Sequence, residues 1–282
     1  MPDREYEIID KKSNVLEYEV FAKEELKLNE KTITNHLSAI SKFLIHSNGS
    51  ITKDSVKLYL ESNDSDSWKS NQLKALRRYL RDFLKLGNWI NEFEFTKSKA
   101  KIKQIPNDEQ LLEFFEYISN EQVRLLFLVL HNSGLRIGEA LQITLDNINF
   151  ETAMIDVSHI HAGSTKSSWL SFVTRQTLVQ VSDFVNKMNL QHDSNLFSIS
   201  ERTAQQNFKD ASEYTGIIIN PHLLRTVFTE KCTLAKIPDK HINAFCGRIS
   251  EGMISKHYTD YSPSKLREQY DKVEPYLTFY SK

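Results

Sequence analysis

The N-terminal third of the chain carries apolar residues at the spacing of amphipathic helices. Three such patterns cover about residues 31–46, 52–62 and 67–86. Runs of Asn, Asp, Gly and Ser between them are typical of turns. The pattern predicts a small helical domain over residues 31–95.

The third of these patterns places two different stripes on one helix. Its apolar stripe, at steps of three and four residues, consists of Leu73, Leu76, Leu80, Phe83 and Leu84. A basic stripe about 100° around the helix consists of Lys74, Arg77, Arg78, Arg81 and Lys85. One stripe therefore packs and the other faces outward, either as a solvated surface or as a binding face for phosphates.

Beyond residue 87 the helical period stops, and a second, mainly helical domain follows. Lysines gather in the gap, at Lys97, Lys99, Lys101 and Lys103, which predicts a basic linker over residues 96–107. Helical patterns then cover about residues 108–119, 120–132, 133–143, 174–189, 200–214, 221–235, 238–246, 250–260 and 263–274. Short strand patterns lie at 148–150, 154–157 and 169–173. The expected fold class is mainly α with a small three-stranded β-sheet, and the second domain spans residues 108–282.

Length and composition agree with two globular domains. The chain has 282 residues, of which 40% are hydrophobic and 26% charged. Its longest apolar runs are too short to cross a bilayer and its N-terminus lacks a signal-peptide pattern, so we expect a cytoplasmic, nucleoid-associated protein. Cys232 and Cys246 are expected to be partly buried thiols.

Charge is unevenly distributed along the chain. The net charge is −1, yet residues 31–104 carry fourteen basic and seven acidic side chains. In the first thirty residues, acidic side chains outnumber the lysines and arginine. They are Asp3, Glu5, Glu7, Asp10, Glu17, Glu19, Glu24, Glu25 and Glu30. We expect the segment 1–30 to be a poorly ordered tail or an interaction segment.

Several catalytic signatures are missing. The sequence has no Walker A loop, no His-Glu-x-x-His, no Gly-x-Ser-x-Gly and, with 8 glycines, no dinucleotide fingerprint. Asp146, Asp156 and Asp260 do not form the carboxylate cluster of a metal nuclease. No metal and no cofactor is therefore expected.

The chemistry of the second domain rests on cations and hydroxyls. Arg136 follows Ser133-Gly134-Leu135 at the start of a helix, where a guanidinium can bind a phosphate or pair with Glu139 on the surface. Further candidates are a turn lysine, a His-x-x-Arg pair, an arginine after a glycine and two tyrosines: Lys166, His222, Arg225, Arg248, Tyr258 and Tyr261. Each of these residues alone is commonplace.

Their order and spacing resemble the tyrosine recombinase (phage integrase) family. The resemblance rests on Gly-Leu-Arg-Ile-Gly-Glu around Arg136, a hairpin lysine, His-x-x-Arg, and the run 256–263 around Tyr258. This last run and residues 266–271 are similar to integrases of archaeal viruses and integrative plasmids. The resemblance covers residues 108–275 well and is weaker over 15–95, the position of the family's core-binding domain.

The resemblance implies a role for each matching residue. Arg136 and Arg225 would bind the scissile phosphate, and Lys166 would protonate the leaving 5′-oxygen. His222 would assist proton transfer or orient the phosphate. Tyr258 would attack, leaving a 3′-phosphotyrosyl link and a free 5′-hydroxyl without any nucleotide cofactor.

One departure from the family pattern concerns Arg248. The family usually has histidine or tryptophan there, and arginine cannot exchange a proton as histidine does. The gap from Arg248 to the tyrosine is also about one residue longer than is common. The role of Arg248 therefore stays open, as does Tyr261 as an alternative nucleophile.

The expected partners are double-stranded DNA and further copies of the chain. Phosphate contacts are expected from Lys74, Arg77, Arg78, Arg81, Lys85, Lys99, Lys101 and Lys103. The resemblance implies a dimer on one site and a tetramer on paired sites, with the last helix, about 263–274, packing on a neighbouring protomer or else on its own domain. A type IB-like topoisomerase and a non-catalytic DNA-binding relative are the alternatives.

Overall fold

The computed structural model describes residues 6–8, 10–95, 104–160, 169–248 and 259–278. The chain divides into two compact units, Met1–Ile102 and Lys103–Lys282. Each unit has a hydrophobic core of its own.

The N-terminal unit is a helical bundle with a short two-stranded ribbon. Its helices are α1 (Lys11–Glu24), α2 (Glu30–His46), α3 (Lys53–Glu61) and α4 (Asp66–Arg77), and the chain continues from α4 as a π-helical turn over Arg78–Phe83. Strands β1 (Tyr6–Glu7) and β2 (Ser50–Ile51) pair antiparallel, with Tyr6 opposite Ile51. The three helical patterns of the sequence are confirmed.

Side-chain caps explain where the helices of this unit begin. The side chains of Asn29, Thr52 and Ser65 accept hydrogen bonds from backbone N–H groups in the first turns of α2, α3 and α4. Between the helices, aromatic side chains such as Phe43 and Tyr79 are fully buried.

The expectation of a poorly ordered acidic tail is wrong for α1. Tyr18 and Ala22, one turn apart, are fully buried, and the Tyr18 hydroxyl lies 2.8 Å from Nδ1 of His36 in α2. The acidic side chains Glu17 and Glu19, on either side of Tyr18 in the sequence, are exposed. The acidic residues of this segment therefore concealed a helix whose buried side chains are part of the core of this unit.

The second unit is mainly helical around a small sheet, which confirms the expected fold class. Its helices are α5 (Asp108–Glu116), α6 (Glu121–Ser133), α7 (Ile137–Ala140), α8 (Arg175–Met188), α9 (Glu201–Thr215), α10 (Pro221–Leu234), α11 (Asp239–Phe245) and α12 (Pro263–Val273). Strands β3 (Ile148–Asn149), β4 (Met154–Asp156) and β5 (Leu170–Phe172) form an antiparallel sheet in the order β3-β4-β5. The helical pattern at 250–260 lies mostly outside the described residues.

Helix α6 forms the centre of this unit. Its side chains from Leu125 to Ser133 are buried all around the helix, as is typical of a core helix. The expected helix over 133–143 is too long: α6 ends at Ser133, Gly134 takes the left-handed conformation with φ 67°, and α7 is only four residues long.

Helix α12 packs on its own unit, which is one of the two arrangements expected from the sequence. Leu266, Tyr270, Val273 and Leu277 recur at helical spacing and are fully buried. The Tyr270 hydroxyl donates to the carbonyl oxygen of Asn132 at 3.0 Å. The apolar face of α12 is therefore already used within the unit.

Two expectations from composition can be compared directly with the described residues. Across them, no helix is both long and apolar enough to cross a membrane. Cys232 and Cys246 are free and buried, and burial raises the pKa of each thiol.

Candidate active site

A glycine turn places Arg136 at the start of α7. Gly134 has φ 67°, and a Cβ atom there would collide with the ring of Phe228 in α10. Only glycine satisfies both the left-handed backbone and the close approach of α10. The turn brings Arg136 to the N-cap position of α7, three residues after the end of α6.

Glu139 holds Arg136 in two ways. Its Oε2 atom accepts a hydrogen bond from the backbone N–H of Arg136 at 2.7 Å, and its Oε1 atom pairs with the guanidinium. The Glu139 side chain is only 2% exposed, whereas that of Arg136 is 30% exposed. The carboxylate is thus a buried support, and the cation keeps access to solvent.

Arg225 is buried and connects three parts of the chain: its own helix α10, the turn at Gly134 and the end of α11. Its guanidinium donates to the carbonyl oxygen of Gly134 at 2.8 Å and to that of Cys246. Gly134 lies two residues before Arg136, and Cys246 lies two residues before Arg248. Arg225, which is 2% exposed, therefore holds together the two backbone segments that carry the other arginines.

The charges of the three arginines act on one another. Burial lowers the pKa of Arg225, and the neighbouring cations Arg136 and Arg248 shift it in the same direction. The Glu139 carboxylate opposes this shift in part, and a bound anion would oppose it further. The arrangement forms a cationic patch fitted to an anion such as a phosphate.

His222 and Arg248 lie on the exposed part of this region. His222 is on the first turn of α10, one turn before Arg225, and Asn220 caps that helix. Arg248 follows Gly247, and its backbone N–H donates to the carbonyl of Asn243 at 2.7 Å. Both side chains are exposed.

Lys166 and Tyr258 lie outside the described residues, as do Lys99, Lys101 and Lys103. The described chain resumes after the two catalytic candidates at Trp169 and Thr259. Of the predicted catalytic residues, the structure therefore brings together Arg136, Arg225 and Arg248, with His222 one helical turn from Arg225.

Tyr261, the alternative nucleophile, is half-buried among other rings. Its ring centroid is 5.8 Å from that of Trp169 and 6.2 Å from that of His241. It packs on the cluster that also contains α11 and α12. These contacts are typical of a packing residue.

The predicted basic stripe of the N-terminal unit is exposed only in part. Lys74, Arg78 and Lys85 are exposed. Arg77 donates to the carbonyl oxygens of Asn91 and Phe93, and Arg78 and Arg81 both pair with Asp82. Arg77 and Arg81 therefore also stabilise this unit.

Sequence reasoning missed a buried polar network that supports the turn at Gly134. The Oδ1 atom of Asn132 accepts from the hydroxyls of Thr174 at 2.7 Å and Thr177 at 2.8 Å. Its backbone carbonyl accepts from Tyr270, so α6, α8 and α12 meet at one residue. The only signal in the sequence is the N-cap threonine of α8, which does not reveal its distant partner.

Comparison with known proteins identifies the family. The model of the phage integrase family matches residues 106–265, more than half of the chain. This chain belongs to the phage integrase family. It is a tyrosine recombinase, and the matched region contains Arg136, Arg225 and Tyr258.

Two curated relatives of this tyrosine recombinase are archaeal. Tyrosine recombinase XerA of Pyrococcus horikoshii is 23% identical over 258 residues, which cover 87% of this chain and 88% of the relative. The protein of the same name from Pyrococcus furiosus is 20% identical over 260 residues, with the same coverage. Neither is named a topoisomerase, so they give no support to that alternative.

Solved structures show the same fold. Lambda integrase bound to DNA has a TM-score of 0.69 at 16% identity, covering 89% of this chain and 96% of that chain. The Tn1549 transposon integrase in complex with transposon right end DNA has a TM-score of 0.62 at 13% identity, covering 92% and 98%.

Proposed function

We propose that this tyrosine recombinase cleaves and rejoins DNA at specific sites through a 3′-phosphotyrosyl intermediate formed by Tyr258. The single observation that supports it most is the junction at Arg225, whose guanidinium holds the backbone segments of both Arg136 and Arg248. Three arginines on adjoining backbone segments suit a phosphodiester transition state, which gains negative charge on its equatorial oxygens.

The proposed reaction needs no external energy source. The Tyr258 oxygen attacks phosphorus and loses its proton, with His222 assisting the transfer. The bond from phosphorus to the 5′-oxygen breaks, and Lys166 supplies the proton that makes the leaving group a hydroxyl. In the reverse step a 5′-hydroxyl attacks the phosphotyrosyl bond and frees the tyrosine, so the bond energy is conserved.

Arg136 and Arg225 would take different parts in this reaction. Arg136 is the accessible cation, oriented by Glu139, and is suited to contact a non-bridging phosphate oxygen directly. Arg225 already donates to two carbonyls, so we assign it both the organisation of the pocket and a contact through its remaining N–H groups. Arg248 is exposed and adds a further cation in place of the histidine or tryptophan that is usual in the family.

The same proposal includes the partners and the domains. Double-stranded DNA would be bound by residues 31–95 as a core-binding domain and by residues 108–282 as a catalytic domain, with the linker 96–107 between them; helix α1 adds residues 11–24 to the first of these. Structures of a lambda integrase dimer bound to a core site and of a tetramer bound to a Holliday junction support a dimer on one site and a tetramer on paired sites. Acting on such DNA implies a cytoplasmic, nucleoid-associated protein.

A capture experiment tests the proposed chemistry and finds the target sequence at the same time. The protein is incubated with a pool of duplexes of randomised sequence that carry nicks, so that cleavage beside a nick releases a short fragment and traps the covalent adduct. We expect wild type to form a detergent-resistant protein–DNA adduct whose DNA can be sequenced and whose released strand ends in a 5′-hydroxyl. Tyr258→Phe should form none.

Two outcomes contradict the proposal. If wild type traps no DNA from the pool, the proposed cleavage through a phosphotyrosyl intermediate is wrong. If Tyr258→Phe traps as much DNA as wild type while Tyr261→Phe traps none, Tyr261 is the nucleophile and the assignment of Tyr258 is wrong.

A further inference from the structure

Three consecutive backbone carbonyls at the end of α6 are each bound by a side chain from a different element. They begin the segment 132–136, here called the Arg136 turn, and the first two belong to the last turn of α6, where a helix leaves its carbonyls without partners. The donors are two hydroxyls and a guanidinium: Tyr270 of α12 to Asn132 at 3.0 Å, Ser171 of β5 to Ser133 at 2.6 Å, and Arg225 of α10 to Gly134 at 2.8 Å. The start of the Arg136 turn is therefore fixed by three separate parts of the second unit.

The rest of the Arg136 turn is also hydrogen-bonded. The backbone N–H of Leu135 donates to the hydroxyl of Ser133 at 3.2 Å, and that of Arg136 donates to Oε2 of Glu139 at 2.7 Å. Between them, Gly134 takes the left-handed conformation with φ 67°. Every residue of the Arg136 turn therefore has a backbone group with a defined partner.

Packing alone does not account for the hydroxyls of Ser171 and Tyr270. Both residues are fully buried, and the strand neighbours of Ser171, Leu170 and Phe172, are buried and apolar. The Tyr270 ring packs on the rings of Phe172 and Phe245, with centroids 5.4 and 6.0 Å away. Alanine and phenylalanine would suit these surroundings, since a buried hydroxyl is unfavourable unless it is hydrogen-bonded. What the hydroxyls add is a donor for each of the two carbonyls at the end of α6.

The position of the Arg136 turn matters because Arg136 acts through direction as well as charge. Its guanidinium presents N–H donors in a rigid planar fork, so it has to meet a phosphate oxygen at a defined angle. A misplacement of about 1 Å in an active site can cost about a hundredfold in rate. Arg136 lies three residues beyond Ser133, and the chain between them is hydrogen-bonded, so a shift at the end of α6 is passed on to Arg136.

We propose that Ser171 and Tyr270 are positioning residues that direct the guanidinium of Arg136 toward the scissile phosphate. The inference rests on the proposed function, because it assigns these residues a part in that reaction. Both side chains are buried and act only through the two carbonyls at the end of α6. Arg136 is thereby held from two sides: Glu139 binds Arg136 itself, and the two hydroxyls fix the chain that leads to it.

The test uses the full chain and a duplex recovered by the capture experiment. Single-turnover adduct formation at saturating protein gives the cleavage rate, and titration of labelled DNA gives the affinity separately. Ser171→Ala and Tyr270→Phe each remove one hydroxyl and keep the remaining side chain. Each is expected to lower the cleavage rate by about fivefold to fiftyfold while the affinity changes by less than about threefold.

Combination with Arg136→Lys separates positioning from a general loss of structure. Lysine keeps the charge but carries it as a point charge on a flexible stem, so its effect depends less on the direction in which the backbone presents it. Ser171→Ala and Tyr270→Phe should therefore each slow the Arg136→Lys protein by less than about twofold. A general loosening of the unit would instead lower the rate by the same factor in both backgrounds, because independent effects add as free energies.

Two matched control variants remove hydroxyls of the same kind elsewhere in the protein. Ser182 in α8 donates to the carbonyl oxygen of Leu178 at 3.0 Å, and buried Tyr59 in α3 donates to that of Ala39 at 3.3 Å. Ser182→Ala and Tyr59→Phe should cleave at the wild-type rate. Urea denaturation of all four variants shows which of them are folded in the assay. Because Ser171 and Tyr270 bind different carbonyls, either variant tests the proposal if the other does not fold.

The outcomes distinguish this inference from the proposed function. Wild-type cleavage rates in the folded Ser171→Ala and Tyr270→Phe variants overturn the positioning role while wild type still captures DNA. Equal losses in the wild-type and Arg136→Lys backgrounds also overturn it. Failure of wild type to capture DNA overturns the proposed function itself.

Discussion

At the scale of single residues, the site combines accessible and buried cations. Arg136 is partly exposed and guided by a carboxylate, whereas Arg225 is buried and bonded to backbone carbonyls. A lysine at 225 could not reproduce the two fixed donor directions of a guanidinium. The buried position therefore requires arginine for structure as well as for charge.

The first prediction concerns Gly134. Gly134→Ala forces alanine into a positive φ and into the ring of Phe228, so we expect a loss of unfolding free energy of about 2–4 kcal/mol and slower cleavage. Gly216→Ala is the matched control, because Gly216 has φ 72° and a Cβ added there would meet nothing within 4 Å. It should cost only about 1–2 kcal/mol. Urea denaturation measures both, and equal losses would contradict the close approach of Phe228.

At the scale of elements, the sequence predicted most of the helices and strands but not the contacts between them. The charged composition of residues 1–30 concealed α1, since two buried positions one turn apart, Tyr18 and Ala22, are too few to dominate a local pattern. Arg136 and Arg225 could be found from sequence because their motifs are local. The Asn132 network and the Trp169–Tyr261 contact could not, because they join residues far apart in the chain and depend on the tertiary fold.

The second prediction concerns α12. Leu266 is fully buried within the unit, so Leu266→Ala should lower the unfolding free energy by about 2–5 kcal/mol. Leu234→Ala removes a leucine that is 55% exposed near the end of α10 and should cost less than about 1 kcal/mol. Urea denaturation of the DNA-free protein checks this difference. A small effect of Leu266→Ala would show that α12 leaves its own unit in solution.

The third prediction concerns the exposed part of the basic stripe. Replacing Lys74, Arg78 and Lys85 together with glutamine should weaken DNA binding and reduce the slope of log affinity against log salt by about 0.9 for each phosphate that the variant no longer neutralises. Arg77→Gln, in contrast, should lower stability, because its guanidinium donates to backbone carbonyls. DNA titrations at several salt concentrations measure the effect on binding, and urea denaturation measures the effect on stability. An unchanged salt slope in the triple variant would remove the stripe from the DNA interface.

At the scale of the whole molecule, both units bury histidines in neutral form. Burial lowers the pKa of His36 in the N-terminal unit and of His131 and His241 in the second unit, that of His131 to about 3. In the unfolded chain each would titrate near 6.5. Because the unfolded state then binds more protons, stability must fall as pH decreases below about 6.5.

The fourth prediction follows from this loss of stability at low pH. For His131 the unfolding free energy should decrease by up to about 1.4 kcal/mol per pH unit between about pH 6 and pH 4. His131→Gln cannot take up the proton, so its stability should depend less steeply on pH than that of wild type. Urea midpoints at pH 7.5 and 5 measure both slopes. Parallel slopes would mean that His131 is already protonated in the folded state.

The hydrogen bonds of Arg225 have a consequence for how such a protein can lose its activity. Two backbone carbonyls depend on its guanidinium, and removing a buried partner leaves both carbonyls unsatisfied. In a copy of this gene that is no longer selected for recombination, a mutation that removes Arg225 would also prevent the protein from folding. A mutation that removes Tyr258 would leave this junction intact. Inert descendants that still occupy DNA should therefore have kept Arg225 and lost the tyrosine.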